Sequence, residues 1–188
     1  MPRPKSDEKR SAIIAAATRV VSAEGLGAST ASIAKEAGIA NGSLFTYFET
    51  KTDLLNQLYL ELKIEMAAAA MRGLAEGGDL HDQFFQIWRN WTSWAVSHSE
   101  KRQALAQLSV CDELTSETRL AGHRTMAAIA ELLERIRRNG PMNETPMAFL
   151  MTLMNSVAES TMDFMRQDPR RAKEHCRTGF EAVWRMVA

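Results

Sequence analysis

Residues 28–54 read ASTASIAKEAGIANGSLFTYFETKTDL, and this stretch decides the fold. Two short runs with helical spacing flank a Gly-Ile-Ala turn at residues 38–40. Gly38 suits the position just past a helix end, where the backbone must turn left-handed. The pattern predicts a helix-turn-helix, with one very short helix after Thr30 and another over roughly residues 41–48.

The second helix of this pair has an apolar side and a polar side. Leu44 and Phe48 are four residues apart, so they share the inward face. The polar side is left for the outside, and such a helix is slim enough to enter a major groove about 12 Å wide. Its outward residues are Asn41, Ser43, Thr46 and Tyr47. Because this geometry also occurs in proteins that never touch DNA, two ordinary packed helices are the alternative.

The rest of the chain has helical character throughout. The 3.6-residue period recurs, and no sustained strand alternation is found. Glycine and proline breaks predict an all-α fold of about nine helices. We expect an N-terminal three-helix helix-turn-helix domain over residues 1–50 and a larger C-terminal helical domain over residues 51–188. A long helix from Thr50 to about Met71 joins them, with Asp53 at its capping-box position.

Composition indicates a globular protein without an overall charge. Of the 188 residues, 45% are hydrophobic and 24% charged, which argues against disorder. The charges of the 23 basic and 23 acidic residues cancel, so a nucleic acid would have to bind to a locally basic surface patch. Residues 1–52 carry seven basic and five acidic residues, a net charge of only +2. This footprint is weak for DNA binding, and two copies in a dimer would strengthen it.

Apolar runs and cysteines argue against several other classes of protein. The longest apolar runs, at residues 12–17 and 66–71, have six residues, whereas a membrane-spanning helix needs about 20. Charges near the N-terminus and at Arg19 argue against a secretory signal. Cys111 and Cys176 are then expected to be reduced thiols of a cytoplasmic protein, not part of a disulfide scaffold or a zinc finger.

One pattern of glycines, small and apolar anchors, aromatic residues and a lysine extends over residues 30–54. It reads Thr30-x-x-Ile33-Ala34-x-x-Ala37-Gly38-Ile39, then Gly42-Ser43-Leu44-Phe45-x-Tyr47-Phe48-x-x-Lys51-x-x-Leu54. This pattern resembles the TetR family of bacterial transcriptional regulators, and the helical layout resembles that family over the whole chain. The family usually has Ser where Ala40 stands and Tyr where Phe45 stands. These two departures remove a possible helix cap and a hydroxyl that could reach DNA.

Three residues are expected to hold the DNA backbone. Thr30 should cap its helix and offer its hydroxyl and N–H groups to a phosphate. Tyr47 and Lys51 should also contact phosphates, which sets the register without reading the sequence. A basic N-terminal arm could add contacts to the backbone or the minor groove. Its members are Arg3, Lys5, Lys9 and Arg10.

Base recognition is expected from the second helix. Asn41 can pair with an adenine edge through two hydrogen bonds, and Ser43 and Thr46 can bond either base type. Gly42 would let the helix approach closely, and Phe45 could touch a thymine methyl group.

The larger domain, over residues 51–188, is rich in Met and Trp, and its resemblance to TetR proteins implies effector binding and dimerisation there. An aromatic stripe near residues 80–97 predicts either ordinary core or a pocket for an apolar or aromatic effector. The candidate pocket residues are Met66, Phe84, Trp88, Trp91, Met126 and Met154.

The last two predicted helices carry apolar residues around more than one face, which indicates burial on two sides. The resemblance implies a two-fold dimer that closes on a four-helix bundle built from them. The candidate interface residues are Met151, Ala158, Met165, Phe180, Val183 and Trp184. The alternative is a terminal pair that is buried only within its own chain.

Taken together, these features predict a DNA-binding regulator rather than an enzyme. The four histidines are scattered, and no phosphate loop, nucleophile elbow or HExxH motif is found, so we expect neither a metal nor a cofactor. The expected partners are a double-stranded, palindromic DNA operator, a second copy of the chain and a small-molecule effector, without a membrane. The family's usual role is repression. The alternatives are a helical protein-interaction module and a regulator without an effector.

Overall fold

The computed structural model describes residues 5–74 and 77–188, and its described residues form ten α-helices and no strand. The helices are α1 (Lys5–Glu24), α2 (Thr30–Glu36), α3 (Asn41–Leu44), α4 (Lys51–Ala70), α5 (Leu80–Ser97), α6 (Ser99–Ser109), α7 (Ser116–Arg124), α8 (Ala127–Arg137), α9 (Met147–Gln167) and α10 (Ala172–Val187). Short 3₁₀ turns cover Gly25–Gly27 and Pro169–Arg171.

The all-α prediction is confirmed, with two differences in detail. About nine helices were expected and ten are described, and one of the breaks is a turn at residues 125–126, which separates α7 from α8. The helix predicted over residues 41–48 ends at Leu44 and continues as a turn. In this turn the N–H groups of Thr46 and Tyr47 donate to carbonyls three residues back, at 3.2 and 3.0 Å. The backbone therefore tightens before Phe48 returns to the core.

The described residues divide into two compact units. The first unit comprises the chain up to Ile64 together with His98–Arg124, and the second comprises Glu65–Ser97 and Thr125–Ala188. This division differs from the predicted domain boundary at residue 50. The reason is that α6 packs on α1, and the first part of α4 belongs to the same unit.

The first unit is built around an apolar core under α2 and α3. Ile13 and Val21 on α1 and Ile33 on α2 are completely buried. Arg10 ties α1 to α4, because its guanidinium lies 2.6 Å from Gln57 Oε1 and 2.6 Å from Glu61 Oε1. The buried side chains pack α2 against α1, and the Arg10 contacts fix α1 to α4.

The second unit has an aromatic core between α5 and α10. The Phe84 and Phe180 rings lie 5.6 Å apart, and both side chains are buried. The Trp88 indole N–H donates to the Cys176 carbonyl at 3.0 Å, so the buried polar group of Trp88 is satisfied. Of the described helices, none is long and apolar enough to cross a membrane.

Candidate DNA-binding site

The first helix of the pair, α2, is capped by Ser29. Its hydroxyl accepts a hydrogen bond from the Ser32 N–H at 2.9 Å, and its backbone is extended, as N-cap residues require. Thr30, the predicted cap, is instead the first residue of α2 and is partly exposed. The prediction missed Ser29, although the Ser29-x-x-Ser32 spacing is a cap signal. Thr30 keeps its place beside the helix N-terminus.

The turn between α2 and α3 has the geometry that its glycine predicts. Gly38 has φ +68°, and its N–H donates to the Lys35 carbonyl at 3.1 Å. The next N–H, that of Ile39, donates to the Ala34 carbonyl at 3.0 Å. These two bonds form a Schellman motif, which satisfies the last carbonyls of α2 and sends the chain sharply into α3.

The second helix of the pair, α3, separates buried anchors from exposed polar residues as predicted. Leu44 and Phe48 have no exposed surface. Ala40 precedes the helix without a side-chain cap, which is the consequence expected from the missing serine. The surface-facing predicted residues are Asn41, Gly42, Ser43, Phe45 and Thr46, all exposed, and Tyr47, partly exposed. All the residues predicted to meet DNA from α3 and its turn therefore reach the surface.

The start of α4 closes the motif. Thr50 caps this helix by accepting from the Asp53 N–H at 3.0 Å, and the Asp53 carboxylate accepts from the Glu49 N–H at 3.1 Å. Lys51, the predicted phosphate contact, donates from Nζ to the Leu26 carbonyl at 2.9 Å. This bond uses one of the three ammonium N–H groups, so two are left for a phosphate. Lys51 thus joins the 3₁₀ turn to α4 as well.

The basic arm differs from the prediction. Arg10 is engaged by Gln57 and Glu61, and its guanidinium lies 5.5 Å from the centre of the Phe48 ring, so its role is structural. Lys9 is exposed, whereas Arg3 and the side chain of Lys5 lie outside the described residues.

Asn41, Ser43, Thr46 and Tyr47 form what we call the exposed polar row, and few charged residues accompany it. Arg19 and Glu36 form an ion pair at 2.6 Å, which neutralises both groups. Lys35 and Glu49 are exposed and of opposite sign. The hydroxyl, amide and aromatic groups of α3 and its turn consequently dominate the chemistry of this surface.

The predicted effector residues lie in the second unit, where most are packed. Phe84 and Trp88 contribute to the aromatic core, which is the ordinary role that their stripe also allowed. Met66 and Met154 are buried too, while Trp91 and Met126 keep partial exposure. The Trp88 and Trp91 rings meet edge to face with centres 5.9 Å apart.

The predicted dimer residues require a correction. Ala158, Phe180 and Val183 have no exposed surface, and Met165 is buried as well, because this side of α9 and α10 forms the core of their own unit. They cannot form the surface between two copies. Met151 and Trp184 remain partly exposed. Because α9 and α10 are each apolar on several sides, the sequence did not show which side of each helix faces the core.

The opposite side of these helices carries a shallow cavity of about 430 Å³, which we call the α9–α10 groove. It is lined by Ser156, Val157, Ser160, Thr161, Phe164, His175, Thr178, Gly179 and Ala182. Two large apolar side chains of α9, Phe149 and Phe164, are each 56% exposed. None of the six predicted effector residues lines this groove.

One cluster of possible metal ligands and one buried thiol of the second unit have structural explanations. Asp79, His81 and Asp82 bring possible metal ligands within 4.8 Å of one another. However, Asp79 caps α5 by accepting from the His81 N–H at 2.8 Å. Burial raises the pKa of the Cys176 thiol above its ordinary value, which keeps the thiol protonated.

The fold and the exposed helix pair define an all-α helix-turn-helix protein of the transcription-regulator class. Residues 13–58 match the model of the bacterial regulatory proteins of the tetR family. A Shewanella sp. PV-4 protein assigned to the tetR family of transcription regulators is 28% identical, with a TM-score of 0.83 over 94% of this chain and 96% of that chain. The family's model thus covers the helix-turn-helix segment, and the whole chain is similar in fold to transcription regulators of the tetR family.

Two further solved structures share the fold at lower identity. A TetR family transcription regulator from Marinobacter aquaeolei VT8 is 22% identical, with a TM-score of 0.84 over 97% of this chain and 96% of that one. The TetR family transcriptional regulator PfmR from Thermus thermophilus is 20% identical, with a TM-score of 0.70 over 94% of this chain and 98% of that one. The similarity extends over nearly the whole chain, beyond the helix-turn-helix.

Proposed function

We propose that this regulator is a repressor that binds a palindromic operator as a homodimer and is controlled by a small apolar or aromatic effector. The observation that carries the proposal is the exposed polar row of α3 and its turn above the fully buried Leu44 and Phe48. Leu44 and Phe48 anchor α3 in the core, and the polar side chains on its outer side are therefore free of any packing role and can bond to DNA. The protein acts by binding and not by catalysis.

Sequence recognition is assigned to the exposed side chains at the start of α3. Asn41 reads an adenine edge, and Ser43 and Thr46 bond neighbouring bases. Phe45 is 44% exposed, which leaves its ring free to meet a thymine methyl group. A Cβ at Gly42 would meet nothing within 4 Å in the free chain, so this position leaves room for close approach of DNA.

Register on the duplex is assigned to groups at the borders of the motif. Thr30 lies at the first turn of α2, where free N–H groups favour a phosphate. Tyr47 and Lys51 hold phosphates on the other side, with the Lys51 bond to Leu26 keeping the ammonium in place. These contacts set orientation and do not distinguish sequences.

Dimerisation is assigned to the exposed side of α9 and α10. The α9–α10 groove and the exposed Phe149 and Phe164 form an apolar surface, which a second copy would remove from water. A two-fold axis would place two recognition helices about 34–36 Å apart on a palindromic operator. The partly exposed Met151 and Trp184 lie on the same two helices and stay candidates for the edge of this interface.

Effector control is supported by the composition of the second unit. Its Met and Trp side chains provide adaptable and rigid apolar surface of the kind that binds apolar compounds. The partly exposed Trp91 and Met126 are the candidates that such a compound could reach most directly. An effector that binds best to a conformation unsuited to DNA shifts the population away from the operator.

A DNA mobility-shift experiment tests the proposal, with duplexes taken from the intergenic regions beside the gene. Asn41→Ala should relax the preference at one base position, whereas Lys51→Ala should weaken binding similarly for all operator sequences. Glu24→Ala, on an exposed residue outside the motif, is the control. Equal behaviour of the first two variants would refute base reading by Asn41, and no binding at low salt to any fragment would favour a protein-interaction module.

A further inference from the structure

The helix that carries most of the exposed polar row, α3, is too short to hold its own orientation. It comprises only Asn41–Leu44, and a helix of one turn is not stable without tertiary contacts. The Schellman motif at Gly38 fixes the end where the chain enters α3. At the other end, the turn of Thr46 and Tyr47 leads to Phe48 and then to α4. The contacts at this second end therefore help to decide where the exposed polar row lies.

A series of hydrogen bonds runs along α4 to this second end. The Arg10 Nη2 group of α1 donates to Gln57 Oε1 at 2.6 Å. The other end of the same amide, Gln57 Nε2, donates to Asp53 Oδ1 at 2.7 Å. The second oxygen of that carboxylate, Asp53 Oδ2, accepts from the Glu49 N–H at 3.1 Å. These four residues form what we call the Arg10–Glu49 network, which begins on α1 and ends on the backbone directly after Phe48.

Two further contacts hold Arg10 at its end of the network. Its Nη1 group lies 2.6 Å from Glu61 Oε1, and its guanidinium lies over the Phe48 ring, 5.5 Å from the ring centre. Phe48 itself has no exposed surface. One side chain thus contacts both the buried anchor of the turn and the network that holds the backbone after it. A guanidinium suits these partners together, because it combines a rigid fork of N–H donors with a flat face, and a lysine ammonium has neither.

We propose that Arg10 is a positioning residue for DNA binding, which stays off the duplex and sets the orientation of α3 through the Arg10–Glu49 network. The inference rests on the DNA binding of the proposed function and adds a residue that acts through others. Glu61 balances the charge of Arg10, which weakens any attraction to a phosphate. Binding side chains must be held within about 0.5 Å of their working positions, so a loosened turn costs affinity although no contact to DNA is removed.

Titrations over a series of salt concentrations, with the intergenic duplex that binds the wild type, test the inference. Arg10→Ala should weaken binding about tenfold, the equivalent of one lost charge-assisted hydrogen bond. The slope of log Kd against log salt should stay as in the wild type, whereas loss of a phosphate contact in Lys51→Ala should lower it by about one. Arg10→Lys keeps the charge without the fork and should lose most of the affinity that Arg10→Ala loses.

Arg19→Ala is the matched control. Arg19 also lies on α1 and pairs with one carboxylate, that of Glu36, at 2.6 Å, so both alanine variants remove one positive charge and leave one acidic residue unpaired. This pair is exposed and takes no part in the network, and its loss should change operator affinity less than about threefold.

Continuity of the network is tested by interrupting it at its centre. Gln57→Leu should also weaken binding about tenfold, and the double variant Arg10→Ala, Gln57→Leu should lose about as much as either alone, because both changes break one path. A readout without DNA is amide hydrogen exchange. In Arg10→Ala the Glu49 N–H should exchange several-fold faster, while the Ile39 N–H, bonded to the Ala34 carbonyl, keeps its rate.

Circular dichroism checks that each variant is folded, and Arg10→Lys and Gln57→Leu carry the same test if Arg10→Ala does not fold. A wild type that binds DNA with the same affinity as Arg10→Ala would overturn the inference and leave the proposed function intact. A slope lowered by about one in Arg10→Ala, or full affinity in Arg10→Lys, would also overturn it, because Arg10 would then act through its charge. Additive losses in the double variant would overturn the network. A wild type that binds no fragment at low salt would instead overturn the proposed function.

Discussion

Two glycines of the helix-turn-helix are expected to respond in opposite ways to the same added methyl group. At Gly38 a Cβ would meet nothing within 4 Å, so any cost of Gly38→Ala comes from the backbone alone. The residue has φ +68°, a conformation that costs a non-glycine residue about 1–2 kcal/mol. We therefore expect Gly38→Ala to lower the free energy of unfolding by about that amount.

Gly42 is the matched position, because a Cβ there also meets nothing within 4 Å and its φ is not positive. It lies inside α3, where alanine is favoured over glycine by roughly 0.5–1 kcal/mol. Gly42→Ala should therefore be at least as stable as the wild type. If Gly42 faces DNA, however, the methyl group hinders close approach, and operator affinity should fall about tenfold or more, a loss of about 1.4 kcal/mol.

Urea unfolding with a common slope gives the stabilities, and operator titrations at one salt concentration give the affinities. Gly38→Ala should remain folded at 25 °C and bind the operator, because about 1–2 kcal/mol is small beside typical stabilities of 5–15 kcal/mol. Wild-type stability in Gly38→Ala would refute the argument from the left-handed backbone. Wild-type affinity in Gly42→Ala would show that this position does not approach DNA.

Two further predictions concern the core of the second unit. Burial raises the pKa of Cys176, so its thiolate fraction at pH 8 lies below that of an ordinary cysteine. Peptide-resolved labelling with iodoacetamide should therefore show slow alkylation of Cys176 in the folded protein and fast alkylation in urea. Equal alkylation rates in the two states would contradict this prediction. Trp88→Phe keeps a ring in the core but removes the indole N–H that donates to the Cys176 carbonyl, which also accepts a backbone hydrogen bond inside α10. The loss of the indole bond should cost about 0.5–1.5 kcal/mol in urea unfolding, and wild-type stability would contradict its contribution.

Local signals were sufficient to predict the helix-turn-helix. The left-handed turn at Gly38, the cap of α4 by Thr50 and the burial of Leu44 and Phe48 all occur as predicted. Each depends on residues that are neighbours along the chain, so spacing alone carries the information. The cap of α2 was assigned one residue too late, at Thr30, because Ser and Thr adjacent in sequence compete for the same position.

Longer-range pairings could not be predicted in the same way. Arg10 was a candidate for DNA contact, but the structure places Gln57 and Glu61 of α4 beside it. A basic side chain near the N-terminus looks the same in sequence whether it faces solvent or an acidic partner about 50 residues away. Which of these applies depends on where α4 crosses α1, and periodicity contains no information on that crossing.

By itself, the amino-acid sequence determined an all-α protein with a recognition surface at its second short helix, since helix periods, caps and a left-handed glycine are local properties of the chain. Only the tertiary structure decided which sides of α9 and α10 are covered. Phe180 and Val183 are enclosed by their own unit, while Phe164 remains open to solvent. Helical periodicity shows that a face is apolar, but the element that covers this face is set by packing between distant parts of the chain.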